Sequence, residues 1–163
     1  MYLLDANVFI TAKNVHYEFA VVPGFWDWID RAVAAGEAVS IDRVQIELRA
    51  QQDELSDWVH TRSDMFRRST DALTPALTQI ASWATSQPQY QPAALATFLD
   101  SADYFLVAHA LTFGDTVVTH EVPAPASRTR VKIPDACRGV SVRYVNPFTM
   151  LRKERARFEL AAT

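Results

Sequence analysis

Apolar residues fall along this chain in short runs that alternate with helical repeats. Tyr2-Leu3-Leu4 is a brief apolar strand stopped by Asp5, and Ala6 to Ile10 reads as the turn into a short helix. From Pro23 to Ala35, Phe25, Trp26, Ile29, Ala32 and Val33 recur at helical spacing until Gly36 closes the segment. Ala38 to Ile41 is a second strand, and Asp42 is placed to cap a helix carrying Val44, Ile46, Glu47 and Leu48. Glu54 to Ser86 is helical in pattern, with breaks near Thr70 and at Gln87-Pro88. Pro92 to Phe113 resumes as helix, interrupted around Asp100-Ser101 and ended by Gly114. The β-branched run Thr116 to Thr119 predicts a buried strand. A polar, Pro-rich loop spans Glu121 to Pro134, Val140 to Val145 alternates as a last strand, and Pro147 opens a terminal helix reaching roughly Phe158.

Strands separated by helices, with no hairpin turn signals, imply a parallel sheet covered on both faces. The expectation is α/β: a three-layer α/β/α sandwich with a short, mostly parallel central sheet. The length of 163 residues fits a single domain over 1–163, with a helical insert at about 53–86.

An apolar fraction of 49% and a charged fraction of 21% are those of a folded chain and exclude disorder. One cysteine, Cys137, rules out an internal disulfide, makes a reducing cytoplasm the default, and is read as a buried inert thiol. No stretch approaches the ~18 apolar residues of a membrane span. A signal peptide is not expected, because a basic n-region is missing and Asp5 breaks the first apolar run. The formal charge of −3 does not advertise nucleic-acid binding. Yet Arg62, Arg67 and Arg68, then Arg128, Arg130, Lys132 and Arg138, then Arg152, Lys153, Arg155 and Arg157 form local basic groups. They build either a basic face or ordinary solvated surface.

In open parallel sheets, ligands sit beyond the carboxyl ends of the strands. Asp5 stands at one such end and His120-Glu121 at another, so two strands deliver acids to one edge. Two carboxylates ~5 Å apart repel by roughly 3 kcal/mol at an effective dielectric of 20. A hard divalent cation relieves that repulsion, and an all-oxygen donor set suits Mg²⁺ or Mn²⁺ better than zinc. Such an ion lowers the pKa of a bound water and neutralises charge on a phosphate. Asn7, two residues after Asp5, is placed to orient that carboxylate.

Four segments together resemble PIN domains. Tyr2-Leu3-Leu4-Asp5-Ala6-Asn7-Val8 is similar to their opening strand, and Val44-Gln45-Ile46-Glu47-Leu48 to their second motif, a Glu on the following helix. Ser101-Ala102-Asp103 through Ala110 resembles the third, an Asp opening a helix rich in small residues. Val117-Val118-Thr119-His120-Glu121 resembles the fourth, a strand ending in Thr-x-Asp, with Glu here in place of Asp. The whole chain also resembles a PIN-like family described only as of unknown function, through Phe25-Trp26-Asp27-Trp28, Thr119 to Val122, Val131 to Asp135 and Met150-Leu151-Arg152. The resemblance extends to the toxin ribonucleases of bacterial toxin–antitoxin pairs (the VapC type). It implies an Mg²⁺- or Mn²⁺-dependent endoribonuclease acting on RNA, with Asp5, Glu47, Asp103 and Glu121 as metal-binding and catalytic acids. It also implies a homodimer and a protein antitoxin as partner. The insert from Asp53 to Ser86 would then cover the site, form the dimer interface or receive the antitoxin.

Each residue has a plainer reading. Asp5 is otherwise a strand-end acid capping the next turn, and Glu47 an exposed helix acid paired with Arg43. Asp100 competes with Asp103, either being a helix cap, with Asp100 an auxiliary acid in the metal reading. Glu121 is otherwise an acid opening a polar loop. His120 binds phosphate, shuttles a proton, or faces solvent. His109 is a core or interface histidine, and His16 and His60 have no evident partner. Trp26, Trp28, Trp58 and Trp83 lie on helical patterns, mostly as core, the other reading being a stacking platform for bases. A haloacid-type phosphatase would want an acid where Asn7 stands, and a receiver domain an acidic pair before its Asp. The rival of another class is a PIN-like fold that is catalytically weak and serves as a binding or scaffold module.

Overall fold

The computed structural model describes residues 1–159. Its five strands are β1 (Tyr2–Leu4), β2 (Ala38–Ile41), β3 (Phe66–Arg67), β4 (Thr116–Val118) and β5 (Arg143–Val145). They form one sheet in the order β3-β2-β1-β4-β5, parallel at every pairing. The chain builds outward from β1 in one direction through β2 and β3, then returns to the other side of β1 for β4 and β5. The switch point therefore lies between β1 and β4, where Leu4 stands opposite Val118.

Around the sheet lie α1 (Ala6–Thr11), α2 (Pro23–Ala34), α3 (Asp42–Arg49), α4 (Glu54–His60), α5 (Thr74–Ser86), α6 (Pro92–Asp100), α7 (Ala102–Phe113), α8 (Ile133–Gly139) and α9 (Pro147–Lys153). A proline stands in the first turn of α2, α5, α6, α8 and α9, where its missing N–H costs nothing and its fixed φ suits the helix. Gly114, at φ 71°, supplies the left-handed residue that stops α7. Leu3 and Leu4 point to opposite faces of β1 and both are 0% exposed, so helices cover the sheet on both sides. The three-layer α/β/α sandwich is what the sequence pattern predicts. The α7 helix is buried along Leu106 to Ala110 and packs against α5, α6, α8 and the sheet. Trp26, Phe19, Trp58 and Phe9 form an aromatic core joining α1, α2 and α4.

Four local expectations change. The helical insert contains a strand, β3, too short at two residues to show a period. Asp42 is the first residue of α3 and not its cap, a place taken by Ile41 without a side-chain bond; its carboxylate accepts instead from Arg43 N (2.8 Å), Ser69 N (2.8 Å) and Ser69 Oγ (2.8 Å), stitching the segment after β3 to the start of α3. The loop expected up to Pro134 ends earlier in α8, and the last strand is only Arg143–Val145. The terminal helix stops at Lys153, because Arg155 turns to φ 54° and Ala156 N–H bonds back to the Leu151 carbonyl.

Candidate functional site

Asp5 follows β1 and Thr119 follows β4, and the parallel register sets them side by side at the switch point. Asp5 is 4% exposed, and its Oδ2 accepts from Thr119 Oγ at 2.8 Å. It stands at the cap position of α1 but makes no side-chain capping bond there. Thr119 Oγ in turn accepts from Asn7 Nδ2 (3.3 Å) and from the Glu121 backbone N–H (3.1 Å). Asn7 Oδ1 accepts from the His120 backbone N–H at 3.1 Å. Asn7 thus acts on Asp5 through Thr119, not directly as expected.

Glu47, Asp103 and Glu121 all stand close enough for their charges to act on Asp5. Burial first, then the charge of Asp103, pushes the Asp5 carboxyl up to about 8, with Glu121 and Glu47 adding to the rise and the Thr119 hydrogen bond opposing it. Asp103 is raised to about 6, by burial first and then by Glu121, against the nearby cations Arg130 and Lys132. Burial also raises Glu47. The charges of Glu47, Asp103 and Glu121, carried on three other segments, thus all bear on Asp5.

Glu47 is not held by Arg43, whose guanidinium lies 3.6 Å over the Phe105 ring. Ser101, not an aspartate, caps α7 by accepting from Tyr104 N–H at 3.4 Å, so Asp103 is free of that duty. Asp100 ends α6 and shares with Glu47 and Arg43 a hollow of about 230 Å³. A second hollow, about 340 Å³, is lined by Ser101, Asp103, Thr129 and Arg130. A roomier one of about 680 Å³ opens at Met1, Tyr2, Glu37 and Thr116, at the amino ends of the strands and away from the acids.

Glu121 is engaged. Its carboxylate accepts from Lys132 Nζ (3.0 Å), Arg130 (2.9 Å) and the Ile133 N–H that opens α8 (2.8 Å). It ties the long loop down and sets two cations beside the acids. Among the described residues no group of three or more His, Cys, Asp or Glu side chains is arranged to enclose a metal ion. An all-protein cage is thus absent, but Mg²⁺ binds through one or two carboxylates and retained waters. Asp5 suits that mode: Oδ1 has no protein donor among the described residues, while Oδ2 is fixed by Thr119.

Sequence reading gave no site role to His16 or Phe148, named Thr119 only within a motif and placed Arg130 and Lys132 only in a basic group. Thr119 was detectable in principle as the polar residue ending a β-branched run opposite Asp5. His16, expected to lack a partner, packs on His120 and Phe148, and His60 Nδ1 meets an Arg49 nitrogen at 3.2 Å. His109 is fully buried with Nδ1 unpartnered, and burial pushes it down to about 4. His120 is half-buried and lowered by burial and then by the neighbouring His16. Trp26 is core, and Trp28, Trp58 and Trp83 pack partly buried against it. Of the basic groups, Arg62 pairs with Asp30, Arg67 with Asp115, and Arg130 and Lys132 with Glu121. No helix among the described residues is long and apolar enough to cross a membrane.

No curated protein and no solved structure gives a significant match to the chain. Residues 2–158 match the family described as Domain of unknown function (DUF4411), and the chain belongs to that family.

Proposed function

We propose that this protein is a metal-dependent endoribonuclease of PIN-like type, cytoplasmic, and the toxin of a toxin–antitoxin pair. The observation that carries the reading is that Asp5 lies buried at the switch point with the charges of Asp103, Glu121 and Glu47 bearing on it, and that Asp5 and Asp103 are raised well above the ordinary carboxylate range. Perturbed acids in a cleft at such a point are characteristic of functional sites. Asp5 and Asp103 would hold Mg²⁺ or Mn²⁺, with Glu47 reaching it through retained waters, and the ion when bound would supply a water of lowered pKa and a positive charge for the phosphate. Thr119 keeps Asp5 in one orientation. A bound cation would favour the ionised form of Asp5. Arg130, 61% exposed, and Lys132 attract an RNA phosphate toward the acids.

Manganese at increasing concentration should raise the melting temperature and start cleavage of a mixed single-stranded RNA pool. At about a hundred times its Kd the ion adds roughly 2.7 kcal/mol, or about 5–10 °C for a chain of this size. Asp5→Asn should abolish cleavage with the fold retained. A flat melting temperature together with intact RNA would sink the nuclease reading. Expression of the intact chain should arrest growth, with Asp5→Ala or Asp103→Ala relieving it; unaffected growth would count against toxicity alone. A homodimer and a protein antitoxin are expected partners, tested by the mass of the purified chain and by co-purification with the product of the adjacent gene.

One observation favours a second reading, a catalytically weak binding or scaffold module. Glu121 is saturated by Arg130, Lys132 and the Ile133 N–H, which is the arrangement of a structural latch. Cleavage lost in Asp5→Asn but present in the parent chain would exclude it.

A further inference from the structure

We propose that His16, His120 and Phe148 form a stacking subsite for one nucleobase of single-stranded RNA beside the acidic cluster. The inference rests on the nuclease reading for its ligand class and extends it to a substrate-positioning surface. Three segments far apart in sequence bring these rings together. The centroids lie 5.8 Å apart for His16 and His120, 5.2 Å for His16 and Phe148, and 6.0 Å for His120 and Phe148. Phe148 is 37% exposed at the start of α9, His16 is exposed and His120 is half-buried, so the group presents ring surface to solvent.

His16 reaches this position through an irregular device. After α1 the chain widens into a π-helical turn, Ala12–His16, closed by a bond from Tyr17 N–H to the Ala12 carbonyl at 2.6 Å. Such wide turns are rare and recur at functional sites. Lys13 pairs with Asp53, which fixes the turn against the start of α4. His120 is tied to the acids by a continuous chain: its N–H to Asn7, Asn7 to Thr119, and Thr119 to Asp5. The backbone of His120 is therefore fixed relative to Asp5.

The chemistry favours a nucleobase over a protein side chain. The group is two imidazoles tilted by 34° with one phenyl edge-on to both at 73° and 74°, polar at the nitrogens, with Arg130 and Lys132 beside the same acids to meet a phosphate. Stacking on aromatic faces tolerates every base and is how single strands are held without sequence readout.

A short single-stranded RNA carrying one 2-aminopurine tests this, with the full chain in EDTA so that no cleavage occurs. Binding should quench the 2-aminopurine fluorescence. Phe148→Ala and His16→Ala should weaken affinity roughly five- to a hundredfold and remove the quenching. Phe148→Trp should retain both, and an abasic nucleotide at the quenched position should reproduce the loss. Each variant is checked for an unchanged melting temperature. Quenched binding without any Mn²⁺-dependent cleavage would support the subsite while the nuclease reading fails. Cleavage with KM, affinity and quenching unchanged in both ring variants would overturn the subsite and leave the nuclease reading standing. Absence of quenching in the parent chain, or ring variants that alter only oligomeric state, would also overturn it.

Discussion

A single hydroxyl organises the candidate site. Thr119 Oγ donates to Asp5 and accepts from Asn7 and from the Glu121 backbone, so one atom links β1, the first turn of α1 and the loop after β4. Thr119→Val keeps the volume and leaves these partners without it. The change should cost roughly 1–3 kcal/mol, measured by denaturant unfolding. It should also raise the proton affinity of Asp5 further, because the lost bond is the one that favours its ionised form; an unchanged Asp5 titration by NMR would contradict the role given to Thr119. Asp5 was legible in the sequence as an acid ending an apolar run. The atom that restrains it was not, since only strand pairing puts position 119 next to position 5.

At the scale of elements, α8 is placed by a close approach to α5. A Cβ added at Gly139 would lie 2.1 Å from the Trp83 ring, well inside contact distance. Gly139→Ala must push the indole aside, and overpacking of this kind costs about 1–3 kcal/mol. The expected outcome is a melting temperature lower by several degrees, partly recovered by adding Trp83→Leu; no change would mean that α5 and α8 separate freely. The same helix carries Cys137, fully buried, and burial pushes its thiol up, as an inert core residue requires. Sequence periodicity found α2, α6 and α7 because their apolar repeats and proline or glycine ends are local. It missed α8 and β3, since seven residues and two residues carry too little repeat to rise above a loop.

For the whole molecule, the acid cluster should write itself into stability against pH. Asp5 and Asp103 bind a proton more tightly folded than unfolded, with folded values of about 8 and about 6 against an ordinary 3.8. Their contribution is full below the unfolded value and is lost as pH rises through about 6 and then about 8. Cation-free protein should therefore melt at lower temperature as pH rises across that window. Asp5→Asn should flatten the upper part of the decline, and Mn²⁺ should reverse it in the parent chain. A cation-free melting temperature that is level from acid to pH 8 would show that the burial and mutual repulsion of these acids do not act on stability.

The sequence by itself determined the layered α/β plan, because period, proline starts and glycine stops are written residue by residue along the chain. It also determined Asp5 as an acid closing a strand and Asp103 as one opening a helix, with Glu47 a candidate through the resemblance of its segment. Tertiary structure alone decided the neighbours: that β4 pairs with β1 so Thr119 meets Asp5, that Glu121 is spent on Arg130, Lys132 and the start of α8, and that His16 reaches His120 and Phe148. These are contacts between segments up to 132 positions apart, from His16 to Phe148. No local pattern encodes them; they follow from strand order and from which faces must be buried together.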